Sequence, residues 1–438
     1  SQSIVTVENS TFSNGYYIAI QGKYSKLDIS NSTISNCKSG INFLGTNLTV
    51  ENTDISVIAQ GNTNDTYAVR FASTDVGSGV NMTLNGGTYL VDRGSFTADN
   101  KTYHSAIIVR LGATGELKAN NLSLGGEVVN LSGQKLDATK NWWGDLDPSD
   151  SIKNSGTGSI DYSPWWGGNY VGSNHSSAWT WYTNDSIQEA INTNTVNNGD
   201  TINVLAGEYH ENVIVNKSII LLGAMANVDP IIESSRTDES KESIINPNES
   251  GDGLIVNGTG VKATINGFTI KNTGDNKNGL IAGAFDTTNY GQVPTSASFI
   301  YNIIKGGKYK NGIAIENGAT GDIKYNKVDG AEISDDVWSG SGILVAGSNN
   351  VEVSNNLVEN SELGIAVVGY AIWRNAPAKE NIIKNNTLKN NSTGISVENL
   401  SIDTFVSGNS ISTTDNVNTT GIDVYSYNLS WEQSTPVG

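Results

Sequence analysis

Seven times between residues 253 and 424 the chain runs glycine, apolar, any residue, apolar. The phrase reads Gly253-Leu254-Ile255-Val256, Gly279-Leu280-Ile281-Ala282, Gly312-Ile313-Ala314-Ile315, Gly342-Ile343-Leu344-Val345, Gly364-Ile365-Ala366-Val367, Gly394-Ile395-Ser396-Val397 and Gly421-Ile422-Asp423-Val424. By subtraction the glycines lie 26, 33, 30, 22, 30 and 27 residues apart. A constant phrase at variable spacing means strands of fixed length joined by turns that can swell, as in a stacked solenoid. A second phrase alternates with the first and ends in asparagine. It includes Val7-Glu8-Asn9, Ile29-Ser30-Asn31, Val50-Glu51-Asn52, Ile265-Asn266, Ile323-Lys324-Tyr325-Asn326, Val353-Ser354-Asn355-Asn356, Ile383-Lys384-Asn385-Asn386 and Val406-Ser407-Gly408-Asn409. Alternation over such short pieces marks strands with one buried face. Asparagine tolerates the left-handed conformation at a sharp corner, and its amide can bond the same residue one coil above and below, so both tasks are expected of the corner asparagine. The two phrases together predict an all-β chain wound as a right-handed, single-stranded parallel β-helix, each coil adding about 4.8 Å.

The pattern breaks once, between about residues 137 and 200, and six of the nine tryptophans fall there. Asn141-Trp142-Trp143-Gly144 followed by Asp161-Tyr162-Ser163-Pro164-Trp165-Trp166 resembles the closing segment of parallel β-helix repeat proteins on archaeal and bacterial surfaces, especially the adhesin-like proteins of methanogenic archaea. A stack must cover its last apolar layer, and indoles cover much area while keeping a polar edge for water. After the seam, Ser186-Ile187-Gln188-Glu189 has the form of a capping box opening a short amphipathic helix with Ile187, Ala190 and Ile191 on one face. With the strands that follow, residues 186–224 resemble the first coils of the pectin-lyase-like superfamily, whose fold hosts many functions. The expected organisation is the closing part of one β-helix with a Trp-rich cap over 1–168, a linker over 169–185, and a second β-helix module over 186–438 that begins with the capping helix. The chain opens in mid-pattern at Ile4-Val5-Thr6-Val7, which reads as a segment of a longer protein or one whose coil ends a neighbour covers.

Composition narrows the function. With 44 acidic against 26 basic residues the formal net charge is -18, which excludes phosphate-backbone binding as the purpose of the chain. The one cysteine, Cys37, leaves no intrachain disulfide, and His104, His175 and His210 have no zinc-ligand spacing. No apolar run is long enough to span a membrane as a helix. Asn-X-Ser/Thr sequons recur, among them Asn9, Asn31, Asn385 and Asn390, and favour an exported glycoprotein.

Candidate chemistry gathers in the swollen turns. Asp335 and Asp336 stand beside Trp338, an acid pair with a stacking face for a sugar ring, or a plain solvated loop. Two longer turns carry Phe285 and Tyr290, and Tyr370, Trp373 and Arg374. Both follow a glycine strand and so leave the same corner, three coils or about 14 Å apart, where they would wall a shallow aromatic groove. Asp145, Asp147 and Asp150 offer alternating oxygen donors for Ca2+, without the glycine and final glutamate of an EF-hand loop. The leading expectation is a non-enzymatic extracellular surface protein, adhesin-like or a structural rod, with a carbohydrate or cell-surface partner and no cofactor. The alternatives are a polysaccharide lyase or glycoside hydrolase acting through Asp335 and Asp336, and a coat or filament subunit that associates end to end.

Overall fold

The computed structural model describes residues 3–426, apart from 16, 59–65, 76–78, 93–95, 99–100, 124–126, 145–146, 156, 168–177, 233–234, 248–250, 272–276, 284–293, 306–309, 331–339, 370–375 and 415–418. The chain divides into two compact units, Ser1–Tyr182 and Thr183–Gly438. Each is a right-handed parallel β-helix. Of the segment expected as a linker, residues 178–185 are described, and they hold a strand, Thr180–Thr183.

In the second unit successive strands fall in rotation onto three parallel sheets. The first sheet runs from Thr201–Val204 to Phe405–Ser407, the second from Gly207–Tyr209 to Ser410–Ser412, and the third from Val213–Val215 to Thr420–Tyr425. Within each sheet every strand pairs in parallel with the one a full coil later, so like residues meet like. Leu280, Ile313, Ile343, Ile365 and Ile395 form one unbroken register column, and all are completely buried. Ile265, Phe299, Ile323, Val353 and Ile383 form another. Each such side chain contributes roughly 1.5–3 kcal/mol by leaving water, and the columns hold the stack together.

The glycine phrase has a reason the sequence does not display. A Cβ built on Gly253 would lie 2.5 Å from the carbonyl oxygen of Gly279, and one on Gly279 would lie 2.5 Å from that of Gly312. The relation continues through Gly342, Gly364, Gly394 and Gly421 at 2.5–2.8 Å. From Gly253 to Gly394 these glycines are present because one coil's backbone rests where a methyl would be, whereas a Cβ on Gly421 would meet nothing within 4 Å; their φ angles are ordinary. In the first unit Ala19, Gly40, Ala68 and Ala106 hold the matching column, which is why the phrase is weaker there.

The corner between the first and second sheets corrects the expectation that one asparagine does two tasks. The left-handed position is filled by Gly267, Tyr301, Tyr325, Asn355, Asn385 and Gly408 in successive coils. The ladder amide belongs to the next residue. Asn302, Asn326, Asn356 and Asn386 each donate Nδ2–H to the Oδ1 of the ladder residue one coil on, at 2.9–3.2 Å, and that same oxygen accepts their backbone N–H. The first unit divides the work in the same way. Asn9, Asn31 and Asn52 take the left-handed turn, and the hydroxyls of Ser32 and Thr53 accept the N–H of Ser10 and Ser32, before Asn120 and Asn141 restore the amide form.

The first unit has seven strands in its first sheet, Ser3–Glu8 to Ser159–Asp161. Its second sheet shrinks to single bridges, Thr88–Asn121–Trp142–Trp166. There the parallel winding stops. Trp165–Trp166 pairs antiparallel with Thr180–Thr183, and Trp166 stacks on Trp179 with centroids 4.0 Å apart. Trp165, Trp166 and Trp181 are almost completely buried. An open pocket of about 370 Å³ lies at the first coil, lined by the exposed Val5, the partly buried Val7, Phe12 and Ile20, and the buried Phe43.

The helix opening the second unit is Ile187–Asn192, burying Ile187, Ala190 and Ile191. Ser186 Oγ accepts the Glu189 N–H, as the capping pattern predicts. The carboxylate at the helix start, however, is Glu211 from the following coil, which accepts the N–H groups of Ile187 at 2.7 Å and Gln188 at 3.0 Å and the Ser186 hydroxyl.

Candidate functional site

Three sheets make three corners, at which successive strands of the second unit are joined. Segments 284–293 and 370–375 follow Asn278–Ala282 and Leu363–Val368, strands of the third sheet separated by Asn311–Glu316 and Ser341–Ala346. They therefore start from one corner, three coils apart. Segment 331–339 lies between Lys327–Asp329 and Ser341–Ala346, at the corner from second to third sheet. Phe285, Tyr290, Asp335, Asp336, Trp338, Tyr370, Trp373 and Arg374 all lie outside the described residues. What is described beside segment 284–293 is a shallow cavity of about 150 Å³, whose lining includes Val261, Lys262, Pro294, Thr295 and Thr320.

Asp145, of the three aspartates expected to offer oxygen to a cation, also lies outside the described residues. Asp147 caps a short 3-10 turn, Pro148–Ser151, by accepting the Ser149 N–H at 3.1 Å. Asp150 contributes its backbone carbonyl to Lys153. Among the described residues no three acidic, histidine or cysteine side chains gather around a common point.

The ladder corner swells once in the described structure, and the sequence patterns gave no sign of it. Between Ile220–Leu222 and Ser243–Ile245 the chain leaves the coil and folds back along the two coils that follow. Gly267 makes room: a Cβ there would lie 2.3 Å from the Ala226 nitrogen, and its φ of 83° already favours glycine. Asn227 and Asn266 exchange hydrogen bonds at 3.0 and 2.9 Å. Arg236 is the anchor. Its side chain is fully buried against the carboxylate of Glu242, which also accepts the Thr269 hydroxyl at 3.0 Å. The remaining guanidinium donors reach the carbonyls of Tyr301 and Gly267, the left-handed residues of two successive coils. Glu239 bridges Lys271 and Lys305 of neighbouring coils, whose hydrogen bonds and charge hold its carboxyl down to about 2.

Beside this excursion stand Tyr301 and Tyr325, half-buried, with ring centroids 5.2 Å apart and planes 22° apart. Burial raises the Tyr301 phenol above its ordinary value, and Tyr325 and Asp229 of the excursion push the same way. On the sheet just before the corner Lys324 and Lys384 both pair with Glu352 at 3.1 Å. Partial burial pushes the Glu352 carboxyl up, but the hydrogen bonds from Lys324, Lys384 and Ser354 outweigh it and hold the group down to about 2. In the first unit burial opposes and the hydrogen bonds of Lys118 and Thr139 prevail in lowering Asp137. Asp238 is lowered by Ser240 and Lys241.

The fold is that of a right-handed parallel β-helix. Residues 252–430 match the family described as a right handed beta helix region. No curated protein matches the chain. No helix among the described residues is long and apolar enough to cross a membrane.

Proposed function

We propose that the chain is an extracellular, non-enzymatic surface protein, adhesive or structural, whose β-helical coils present corner excursions to a glycan or a cell. The observation that carries this reading is how the described polar groups are used. Buried amides run in ladders that tie one coil to the next, and Glu239 and Glu352 each bridge two lysines of neighbouring coils, so these groups serve the stack itself. The likeness of the Trp-rich segment to surface proteins of methanogenic archaea supports the same reading, as does the acidic net charge of -18, which keeps displayed proteins soluble and apart.

Two measurements test it. Antibody against the chain should label intact source cells, and protease applied outside should remove the signal; label appearing only after lysis would refute display. Incubation with neutral and acidic polysaccharides should release no reducing ends and no ultraviolet-absorbing unsaturated uronates. Release that disappears in Asp335→Asn or Asp336→Asn would replace this reading with a lyase or hydrolase.

A further inference from the structure

Two tyrosines occupy a backbone position that suits asparagine or glycine. In the ladder-corner column the left-handed residue is Gly267, Asn355, Asn385 or Gly408, but in two successive coils it is Tyr301 at φ 55° and Tyr325 at φ 57°. A bulky aromatic there is strained, and such strain persists only where the surroundings over-determine it. They do so here: the buried Arg236 holds the Tyr301 carbonyl, and the Tyr301 and Tyr325 N–H groups each donate to the next coil at 3.3 Å. Stack geometry alone gives no reason for tyrosine, since asparagine fills the same place two coils on.

The rings form a particular surface. At 5.2 Å between centroids and 22° between planes the rings stack one coil over the other, and each keeps the face turned away from its partner clear of that ring. The column continues as the carboxamides of Asn355 and Asn385. From Tyr301 to Asn385 it offers one recognition group per coil over about 14 Å, roughly the reach of three extended pyranose units. Lys324 and Lys384 are already paired with Glu352, and Asp229 stands near Tyr301, so the strip has little to offer a polyanion. We propose that the corner strip Tyr301–Tyr325–Asn355–Asn385 binds an extended neutral polysaccharide, the C–H faces of the sugars on the two rings and their hydroxyls on the two carboxamides. This deepens the surface-contact reading and rests on it for its biological setting, but not for its measurement.

The test is affinity electrophoresis of the whole chain through gels cast with mixed-linkage β-glucan, galactomannan, hydroxyethyl cellulose or polygalacturonate. At least one neutral polymer should retard the chain, and polygalacturonate should do so less. Tyr301→Asn with Tyr325→Asn should weaken that retardation at least tenfold while the melting temperature stays level or rises, because asparagine suits the left-handed turn. Tyr24→Asn, at a left-handed tyrosine of the first unit that is 69% exposed, should change nothing. No retardation by any neutral polymer, or equal retardation of the double variant, overturns the site. Surface labelling of source cells is read separately, so the strip can fail while display stands.

Discussion

Replacing Asn356 with alanine removes a side chain that is 1% exposed and makes four hydrogen bonds. Its Oδ1 accepts the Asn326 N–H at 2.9 Å and Asn326 Nδ2–H at 3.0 Å, and its Nδ2 donates to the Ile323 carbonyl at 2.8 Å and to Asn386 Oδ1 at 3.0 Å. Two of these losses are absorbed. Asn326 Nδ2 still donates to Phe299 and Lys324, and Asn386 Oδ1 keeps the Asn356 N–H. The Asn326 N–H and the Ile323 carbonyl lose these partners inside the stack, at about 1–3 kcal/mol each, so the variant should lose roughly 2–6 kcal/mol. Asn355→Ala, one residue earlier, keeps the ladder and suffers only the left-handed φ of 55°, about 1 kcal/mol. Urea unfolding of both variants, with deuterium exchange of peptides spanning 320–360, separates the two effects. Exchange in Asn356→Ala should rise first in the coils on either side. A cost for Asn356→Ala below that of Asn355→Ala would refute the division of labour between the two residues.

Gly342→Ala should destabilise by about 2 kcal/mol or more in the same assay, since its Cβ would lie 2.2 Å from Val358 Cγ1 and 2.8 Å from the Gly364 carbonyl. Arg236→Met should cost about 3–5 kcal/mol in thermal melts by stranding the buried Glu242, and pairing it with Glu242→Leu should recover most of the loss. Limited proteolysis of Gly267→Ala should cut within 224–242 faster than it cuts the wild type, because the methyl displaces Ala226. The Glu352 carboxyl titrates near 2 when folded against an ordinary value of 4.5. Its contribution is therefore complete above about pH 4.5 and is lost as pH falls toward 2. Glu352→Gln should flatten acid unfolding in that window and cost less than about 1 kcal/mol at neutral pH, because the row is partly solvated.

How much of this was legible follows from which interactions are local. The glycine phrase and the alternating strands were readable because every coil repeats the same demand: small where backbones touch, aliphatic where side chains meet the column. The capping serine was readable because Ser186 and Glu189 are three apart. Glu211 was not, since it reaches the helix from the next coil. Sequons have a second source. At Asn9, Asn31 and Asn385 the triplet is also corner grammar, a left-handed asparagine, a ladder residue, and the threonine that opens the next strand. The candidate site was less legible still. Lys324-Tyr325-Asn326 looked like one more asparagine phrase, and nothing in its neighbourhood announces that Tyr301 lies one coil away or that Arg236 holds that coil's corner.

Periodicity along the chain determined the winding, the buried columns, the Trp-rich seam and the opening helix, because each rests on residues close in sequence repeating one geometric need. Tertiary structure alone decided which neighbour of each corner pair turns and which one bonds, why the glycines must be glycines, and where the 224–242 excursion lies. Those depend on contacts between residues 19 to 66 apart in the chain that arise only when one turn of backbone comes to rest on another.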